Sequence, residues 1–557
     1  MMQHASNSPL RRSEEYAMNK IEDIKKRKDG LDVLADIHRY AAQREHRITS
    51  EDEALFKWYG VYTQRPAEDG YFMVRIRIPG GQLNASQLLA IAELSRKFGK
   101  GLADVTVRQN IQLHWVRIHD IPAIFEVLDR VGLTTTDACG DTVRNIISCP
   151  VSGVDSDELY DVTPLIRRVN EFFVGNRDFS NLPRKFKIAV TGCAARCVYP
   201  EINDIGIFAV KDDDRGGVAF RARVGGGLST TPRFSKDLGV LIEADEVVEL
   251  CAAIASVFRD NGNRENRKRA RLKFLVEQWE IPRFRDEVEA QLGWKLRRAD
   301  QPEAPLITAR DRSHLGIHRQ RGDSFHYVGV ALVGGRTSSD QLRILAELAE
   351  KHGRGRLRTT NTQNIILLDI DSENLETMKS DLKSAGFDYE PSWATRGLIA
   401  CTGIQFCKLA IAETKNRARE LDRYLAEQVD LEDRPRISVT GCPNACGQHH
   451  ICDVGLEGSL TTIDGVKKET FQVFLGGGVG AHETFGRRVG ARIPSDELAE
   501  SLARLFQIYK DQRVDAETFQ EFCLRHSNEE LTNYLWAPAV GPSVKNNTEA
   551  LIVSSGD

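Results

Sequence analysis

ACTGIQFC, residues 400–407, and TGCPNACG, residues 440–447, carry four cysteines: Cys401 and Cys407, then Cys442 and Cys446. Five residues separate the first pair and three the second, with a helix-like segment and a short strand between the pairs. Four thiolates can hold zinc or an iron–sulfur cluster, and spacing alone leaves both open. Zinc ribbons favour tight C-x2-C knuckles, which neither pair forms, and the wider spacings suit a cubane. The bland reading is four buried thiols, since free Cys is among the most buried residue types. Residues 436–440 (RISVT) read as a strand that delivers Cys442 into a Gly- and Pro-containing turn. Amides of a helical turn beyond it would face the sulfurs and lower their pKa values.

A chain of 557 residues is too long for one ordinary core and implies three or four modules. Its 41% hydrophobic and 28% charged content is that of a soluble globular protein. No run approaches the ~18–20 apolar residues of a membrane span. The N-terminal residues mix both charge signs without an apolar core, which predicts no signal peptide and a cytoplasmic protein. Eleven cysteines, an odd number with several clustered, point to ligands and free thiols rather than disulfides. A net charge of −4 predicts no nucleic-acid partner. The one basic run, RENRKRARLK at 264–273, reads first as a solvated helix face and next as a contact for cofactor carboxylates or an acidic partner.

The chain repeats itself. YFMVRIRIPGG (71–81) alternates aliphatic residues with Arg75 and Arg77, so a strand would set both arginines on one face. A helix with Leu88, Ile91 and Leu94 follows, then the strand–loop–strand DVTVRQNIQLHWVRI. HYVGVALVGG (326–335), Leu342, Leu345 and RTTNTQNIILLDI reproduce this unit, with Gly80/Gly334, Leu88/Leu342 and Gln109-Asn110/Gln363-Asn364 all 254 apart. TGCAARC (191–197) echoes TGCPNAC, and VGGGLST echoes LGGGVGA. ACGDTVRN from Ala138 aligns with ACTGIQFC, which sets Cys139, Cys193 and Cys197 opposite three cluster cysteines and Asn145 opposite Cys407. Three thiolates and an amide make a poor cubane site, so the first copy is expected to lack a cluster and bind an anion instead. Its Lys185 and Lys187 alternate with Phe186 and Ile188, which places both lysines on one strand face.

ACTGIQFCKLAIAET followed by VTGCPNACGQ resembles the cluster signature of the sulfite and nitrite reductase family, whose members couple a [4Fe–4S] cluster to siroheme. The likeness runs through nearly the whole chain. It implies that Cys401, Cys407, Cys442 and Cys446 ligate the cluster and that Cys446 bridges it to the siroheme iron. It also implies that Arg75, Arg144, Lys185 and Lys187 surround a small oxyanion on the open face of siroheme. The rim of the carboxylate-rich siroheme is expected to engage Arg77 and Arg108, with Asn110, Gln112 and His114 in the same cofactor-binding set. For His114, a strand-end packing or hydrogen-bonding role is favoured over heme ligation. Tyr62 and Cys139 flank substrate-binding arginines, which places them side by side and raises the possibility of a thioether between them.

The implied fold is α+β and internally duplicated. Two ferredoxin-like half-domains, 55–132 and 301–390, pair about a pseudo-twofold. Two mixed α/β cofactor-binding domains, 133–300 and 391–536, complete it, with an N-terminal arm at 1–54 and a disordered tail at 537–557. The implied function is ferredoxin-dependent six-electron reduction of sulfite to sulfide, or nitrite to ammonia, by a monomer. The glycine runs at 225–227 and 476–478 do not spell G-x-G-x-x-G, and without a flavin or nicotinamide fingerprint the electrons come from another protein. Sulfite reductases of the family resemble the LPRKFK pattern at 182–187, whereas plant-type nitrite reductases tend to carry Asn at the position of Lys187, which favours sulfite. The competing class is a non-catalytic, anion-binding zinc protein built on the four cysteines.

Overall fold

A computed structural model describes residues 20–44, 48–303, 313–322, 324–480 and 482–536. The C-terminal tail expected at 537–557 and the first part of the arm lie outside these residues.

The two half-domains are built around an exchange of strands. One five-stranded sheet runs Val61–Thr63, Tyr71–Ile76, Ile111–Arg117, Leu102–Val105 and finally Arg336–Ser338, which belongs to the second copy. The other runs Gly316–Arg319, Phe325–Val330, Ile365–Asp371, Arg356–Thr359 and finally Gln82–Asn84 from the first copy. Each donated strand leads directly into a helix, Ala85–Phe98 or Ser339–His352, and both helices open with a capping box, Asn84/Gln87 and Ser338/Gln341. The two helices pack on each other, so both halves share one apolar core.

Glycine permits the crossing. A Cβ on Gly81 would stand 2.1 Å from the Thr359 carbonyl, and one on Gly335 2.4 Å from that of Val105; both have positive φ. Two glutamines lock the junction. Gln109 Nε2 donates to the carbonyls of Ser148 and Thr359, each at 3.0 Å, while its Oε1 accepts from Ser148 N at 2.9 Å. Gln363 does the same with Val105, Ala400 and the Ala400 amide at 2.8–2.9 Å.

The two larger domains also repeat one topology. In the first, Ile147–Ser148, Ile188–Thr191 and Ile205–Lys211 are parallel, and the sheet then turns antiparallel through Val218–Val224, Lys236–Ile242 and Arg297–Arg298. In the second, Leu398–Ala400, Ile437–Thr440 and Val454–Ile463 are parallel, followed by antiparallel Val466–Leu475 and Arg487–Pro494. The glycine runs serve this repeat: a Cβ on Gly226 or Gly477 would meet the carbonyls of residues 201 and 203, or of 450 and 452, at 2.5–2.6 Å.

The topology corrects the alignment of the cysteines. Cys149, not Cys139, follows the strand equivalent to Leu398–Ala400, because Ser148 and Ala400 are the residues held by the paired glutamines. Six residues on, Asp155 rather than Asn145 stands opposite Cys407, and their amides bond to the equivalent carbonyls of Val151 and Gly403. Cys193 and Cys197 do match Cys442 and Cys446, down to the left-handed residues Arg196/Ala445 and Tyr199/Gln448. ACGD misled the alignment because it shares an Ala-Cys pair with ACTG but belongs to an earlier loop.

The N-terminal arm is not one continuous helix. A helix over 20–27 gives way to a 3-10 turn at Gly30–Val33, nucleated by Asp29 accepting from the Leu31 amide, before Leu34–Gln43 resumes. The arm is tied to the body by buried Lys25, which donates to Leu182 O at 2.9 Å and pairs with Asp141. Nor is the basic run a solvated helix face. Arg264 pairs with Glu22, Arg267 with Asp141 and Arg271 with Asp204, while Lys273 donates to the carbonyls of Leu228 and Thr231.

Candidate active site

The cluster loops hang from the parallel strands of the second large domain. Backbone amides face the sulfurs: Gly441 N donates to Cys401 Sγ at 3.2 Å, with Gly403 beside it, Leu409 and Ala410 reach Cys407, and Asn444 reaches Cys442. Such donors stabilise thiolate charge and raise a cluster's potential. Burial pushes the free Cys401 thiol up to about 12, with Cys446 adding to the shift, and burial likewise raises Cys407 and Cys442. Iron, when bound, would favour the thiolate forms of these four residues. No three of the four sulfurs come within 4.8 Å of one another, and the wider separations of a cubane's ligands accommodate that. Cys446 is the exposed member of the four.

The loop between the first two cysteines is braced from behind. Phe406 stacks on His114 with centroids 3.9 Å apart and meets Trp115 edge-on at 4.7 Å. His114 is fully buried, and its Nε2 lies 3.0 Å from Asp104 Oδ2. Asp104 also pairs with Arg336 at 3.0 Å and lies 3.9 Å from Lys415 Nζ. His114 thus supports the cluster loop from the strand, the packing role weighed from the sequence. Asn110 is a turn residue: its Oδ1 accepts from the Ile78 amide, as Asn364 accepts from Leu332, so the second copy repeats it.

The basic residues converge from the first large domain and the first half-domain. Arg75 donates to Cys139 Sγ and lies 5.3 Å from the Tyr62 ring centroid. With its amide oxygen turned inward, Gln112 accepts from Arg75 Nε at 2.9 Å and Nη2 at 2.5 Å. Burial would lower the Arg75 pKa, but Cys139, Tyr62 and Cys446 outweigh it and raise the value. Arg144 Nε and Nη2 both donate to Gly140 O, at 2.9 and 2.7 Å.

Lys185 and Lys187 stand just before the strand Ile188–Thr191, on one face, flanking fully buried Phe186. Among the described residues, neither ammonium makes a hydrogen bond or ion pair. Burial, then Arg184 and Arg271, pushes Lys185 down to about 7, and Cys446 opposes the shift. Burial, then Arg108 and Lys185, also pushes Lys187 well below the ordinary lysine range. Desolvated cations left without carboxylates are unfavourable unless an anion completes the site.

Arg77 and Arg108 lie deeper. Arg77 donates to Asn170 Oδ1 and to the carbonyls of Asp137 and Val143 at 2.8–3.0 Å, and burial lowers it to about 10. Arg108 donates to Asn203 Oδ1 and Asn145 O, and burial with Arg144 lowers it to about 9. Each retains one buried donor, Arg77 Nη2 and Arg108 Nε, with no hydrogen-bond partner. Sequence reasoning missed Asp204, which accepts from Lys187 N at 2.9 Å and from Arg271 at 2.8 Å and so fixes the base of the basic strand. Its position in a plain IND tripeptide carries no signal.

Comparison with known proteins gives the family. The nitrite/sulfite reductase ferredoxin-like half-domain model matches residues 64–131 and 318–385, and the nitrite and sulphite reductase 4Fe-4S domain model matches 139–296 and 393–524. The chain belongs to the nitrite and sulphite reductase family. It is 36% identical over 540 residues to the sulfite reductase (ferredoxin) of Mycobacterium tuberculosis, covering 92% of this chain and 96% of that protein. It is 38% identical over 507 residues to the ferredoxin–nitrite reductase of Leptolyngbya laminosa, covering 88% and 97%. The solved structure of Mycobacterium tuberculosis NirA superposes with a TM-score of 0.88 at 36% identity, covering 92% of this chain and 97% of that one.

As a member of the family the chain is an oxidoreductase with siroheme and a [4Fe–4S] cluster as cofactors. The residues present fit both groups: a four-thiol set for the cluster, and the orphaned guanidinium donors of Arg77 and Arg108 for the carboxylates of siroheme.

Proposed function

We propose that the protein reduces sulfite, in preference to nitrite, with six electrons delivered by ferredoxin, and that it acts as a monomer. The observation that carries this reading is the pair of partnerless ammonium groups of Lys185 and Lys187 on one face, with Lys185 and Arg75 both within the field of Cys446. Siroheme and the cluster, when bound, would supply the iron and the path for ferredoxin's electrons. The chain's own contribution is electrostatic. Arg75 and Arg144, held by Gln112 and the Gly140 carbonyl, orient the oxyanion, and Lys185 and Lys187 neutralise it and donate protons as its oxygens leave as water. Sulfite, with two negative charges when deprotonated and three oxygens, gains more from a fourth cation than singly charged nitrite does. Ferredoxin, an acidic protein, is expected to dock at a basic surface near the cluster.

Cys446 is proposed as the bridging sulfur, and Tyr62 and Cys139, which are in hydrogen-bond contact, as a pair able to form a thioether. Loss of two hydrogens in the intact mass would show that bond, and an unchanged mass excludes it. Turnover of sulfite and nitrite, each with reduced ferredoxin, tests the main reading. A higher kcat/KM for sulfite is expected; robust nitrite reduction with sulfite left untouched overturns it. A colourless protein with zinc and no iron would return the reading to the zinc class.

A further inference from the structure

The first copy's cysteine loops do not lie idle. Cys149 Sγ, Cys197 Sγ and a ring nitrogen of His314 lie within 4.8 Å of one another, and Cys193 is in hydrogen-bond contact with both thiols. The four residues are 1%, 1%, 7% and 2% exposed respectively, and none of the cysteines is in a disulfide. Val151, Tyr327 and Ile366 pack around them. Three thiols and an imidazole converging in a dry apolar pocket have no packing advantage over aliphatic side chains. As thiolates around a cation they form a complete ligand set.

We propose that Cys149, Cys193, Cys197 and His314 bind a structural zinc ion at the place where the pseudo-twofold would put a second cluster. A Cys3His set is a closed structural zinc site, and Zn–S bonds near 2.3 Å put tetrahedral sulfurs about 3.8 Å apart, inside the observed spacing. Cys401, Cys407, Cys442 and Cys446 of the second copy form no such group.

Two further features show a built site. His314 does not belong to the duplicated loops: it comes from the segment entering the second half-domain, in a left-handed conformation (φ 56°). Gly329 makes room for it, since a Cβ there would stand 2.0 Å from the His314 carbonyl. The loops also have outer support. Ala195 N donates to Cys193 Sγ at 3.4 Å, Asn361 Nδ2 donates to Cys197 O at 2.7 Å, and Asp155, in the place of Cys407, lies 3.9 Å from Cys193 Sγ. A metal held this way joins the first large domain to the second half-domain.

The test is metal analysis and zinc-edge X-ray absorption on the holoenzyme after dialysis against EDTA. About one zinc per chain is expected beside about five irons, with about three sulfurs near 2.3 Å and one nitrogen near 2.0–2.1 Å around the zinc. His314→Ala should lose the zinc and keep its iron. If that variant does not fold, the wild-type zinc shell decides alone. Four results overturn the proposal: no bound zinc, a zinc shell of four sulfurs, an intact mass lowered by a disulfide, or about nine irons from a second cluster.

Discussion

Lys185 and Lys187 face the same space, and the proton inventory of that space sets the enzyme's pH dependence. Burial beside Arg184 and Arg271 brings Lys185 to about 7, so the free site loses a positive charge as the pH rises through neutrality. An anion binds best to the protonated form, and binding therefore takes up a proton. The expected outcome is that kcat/KM for sulfite falls above about pH 7, approaching tenfold per unit, and that Lys185→Arg flattens this limb. A pH profile of wild type and variant checks it; identical limbs would remove Lys185 from the site. Lys187→Asn should lower kcat/KM for sulfite by about tenfold to a hundredfold, the equivalent of one charge-assisted hydrogen bond, and for nitrite by less. Steady-state kinetics on both substrates reads the difference. At Cys446 the hard oxygen of Ser is a poor substitute for sulfur, and Cys446→Ser should lose the coupled spectrum of the two cofactors. Normal cofactor content with full activity in that variant would show that another group bridges them.

At the scale of the element, the exchanged strand Arg336–Ser338 carries a charge into the core. Arg336 meets Asp104 across the pairing of its strand with Leu102–Val105, and His114 and Lys415 complete the group beneath the cluster loop. Burial alone would raise the Asp104 carboxyl, but Lys415, His114 and Arg336 hold it far below the ordinary range. Its stabilisation is therefore present above the unfolded value near 3.8 and is lost as the pH falls through the folded one. Asp104→Asn leaves two buried cations uncompensated and should destabilise the protein by about 3–5 kcal/mol at neutral pH. Urea unfolding from pH 8 to 5 should show a constant gap; wild-type stability in the variant would mean water already solvates the group. None of this was legible in DVTVRQN, because a pattern of alternating residues cannot say which strand of a distant repeat will lie alongside. The strands, helices and glycine turns were legible for the opposite reason, since each is fixed by local periodicity and recurs in the same order.

Across the whole molecule the duplication was readable from the order of its landmarks, but not the pairing of its cysteines. Short Cys-containing strings align equally well in more than one frame, and only the parallel strand pairing and the bonds of Gln109 and Gln363 select Cys149. His314 was invisible as a ligand because it lies outside both repeats. The same two glutamines give the last prediction. Each side chain satisfies two buried carbonyls and one amide at the meeting of three chain segments, so truncation to Ala orphans all of them, at about 1–3 kcal/mol for each group left dry. By symmetry Gln109→Ala and Gln363→Ala should lower the unfolding temperature by similar amounts. Their chemical consequences should differ. Gln363 holds Ala400, next to Cys401, and its loss should release cluster iron. Gln109 holds Ser148, next to Cys149, and its loss should leave the cluster's visible absorption intact. Calorimetry with iron analysis on both variants separates the two effects. Equal iron loss would mean that the halves unfold together, and that the cluster reports on the junction as a whole rather than on the strand that carries Cys401.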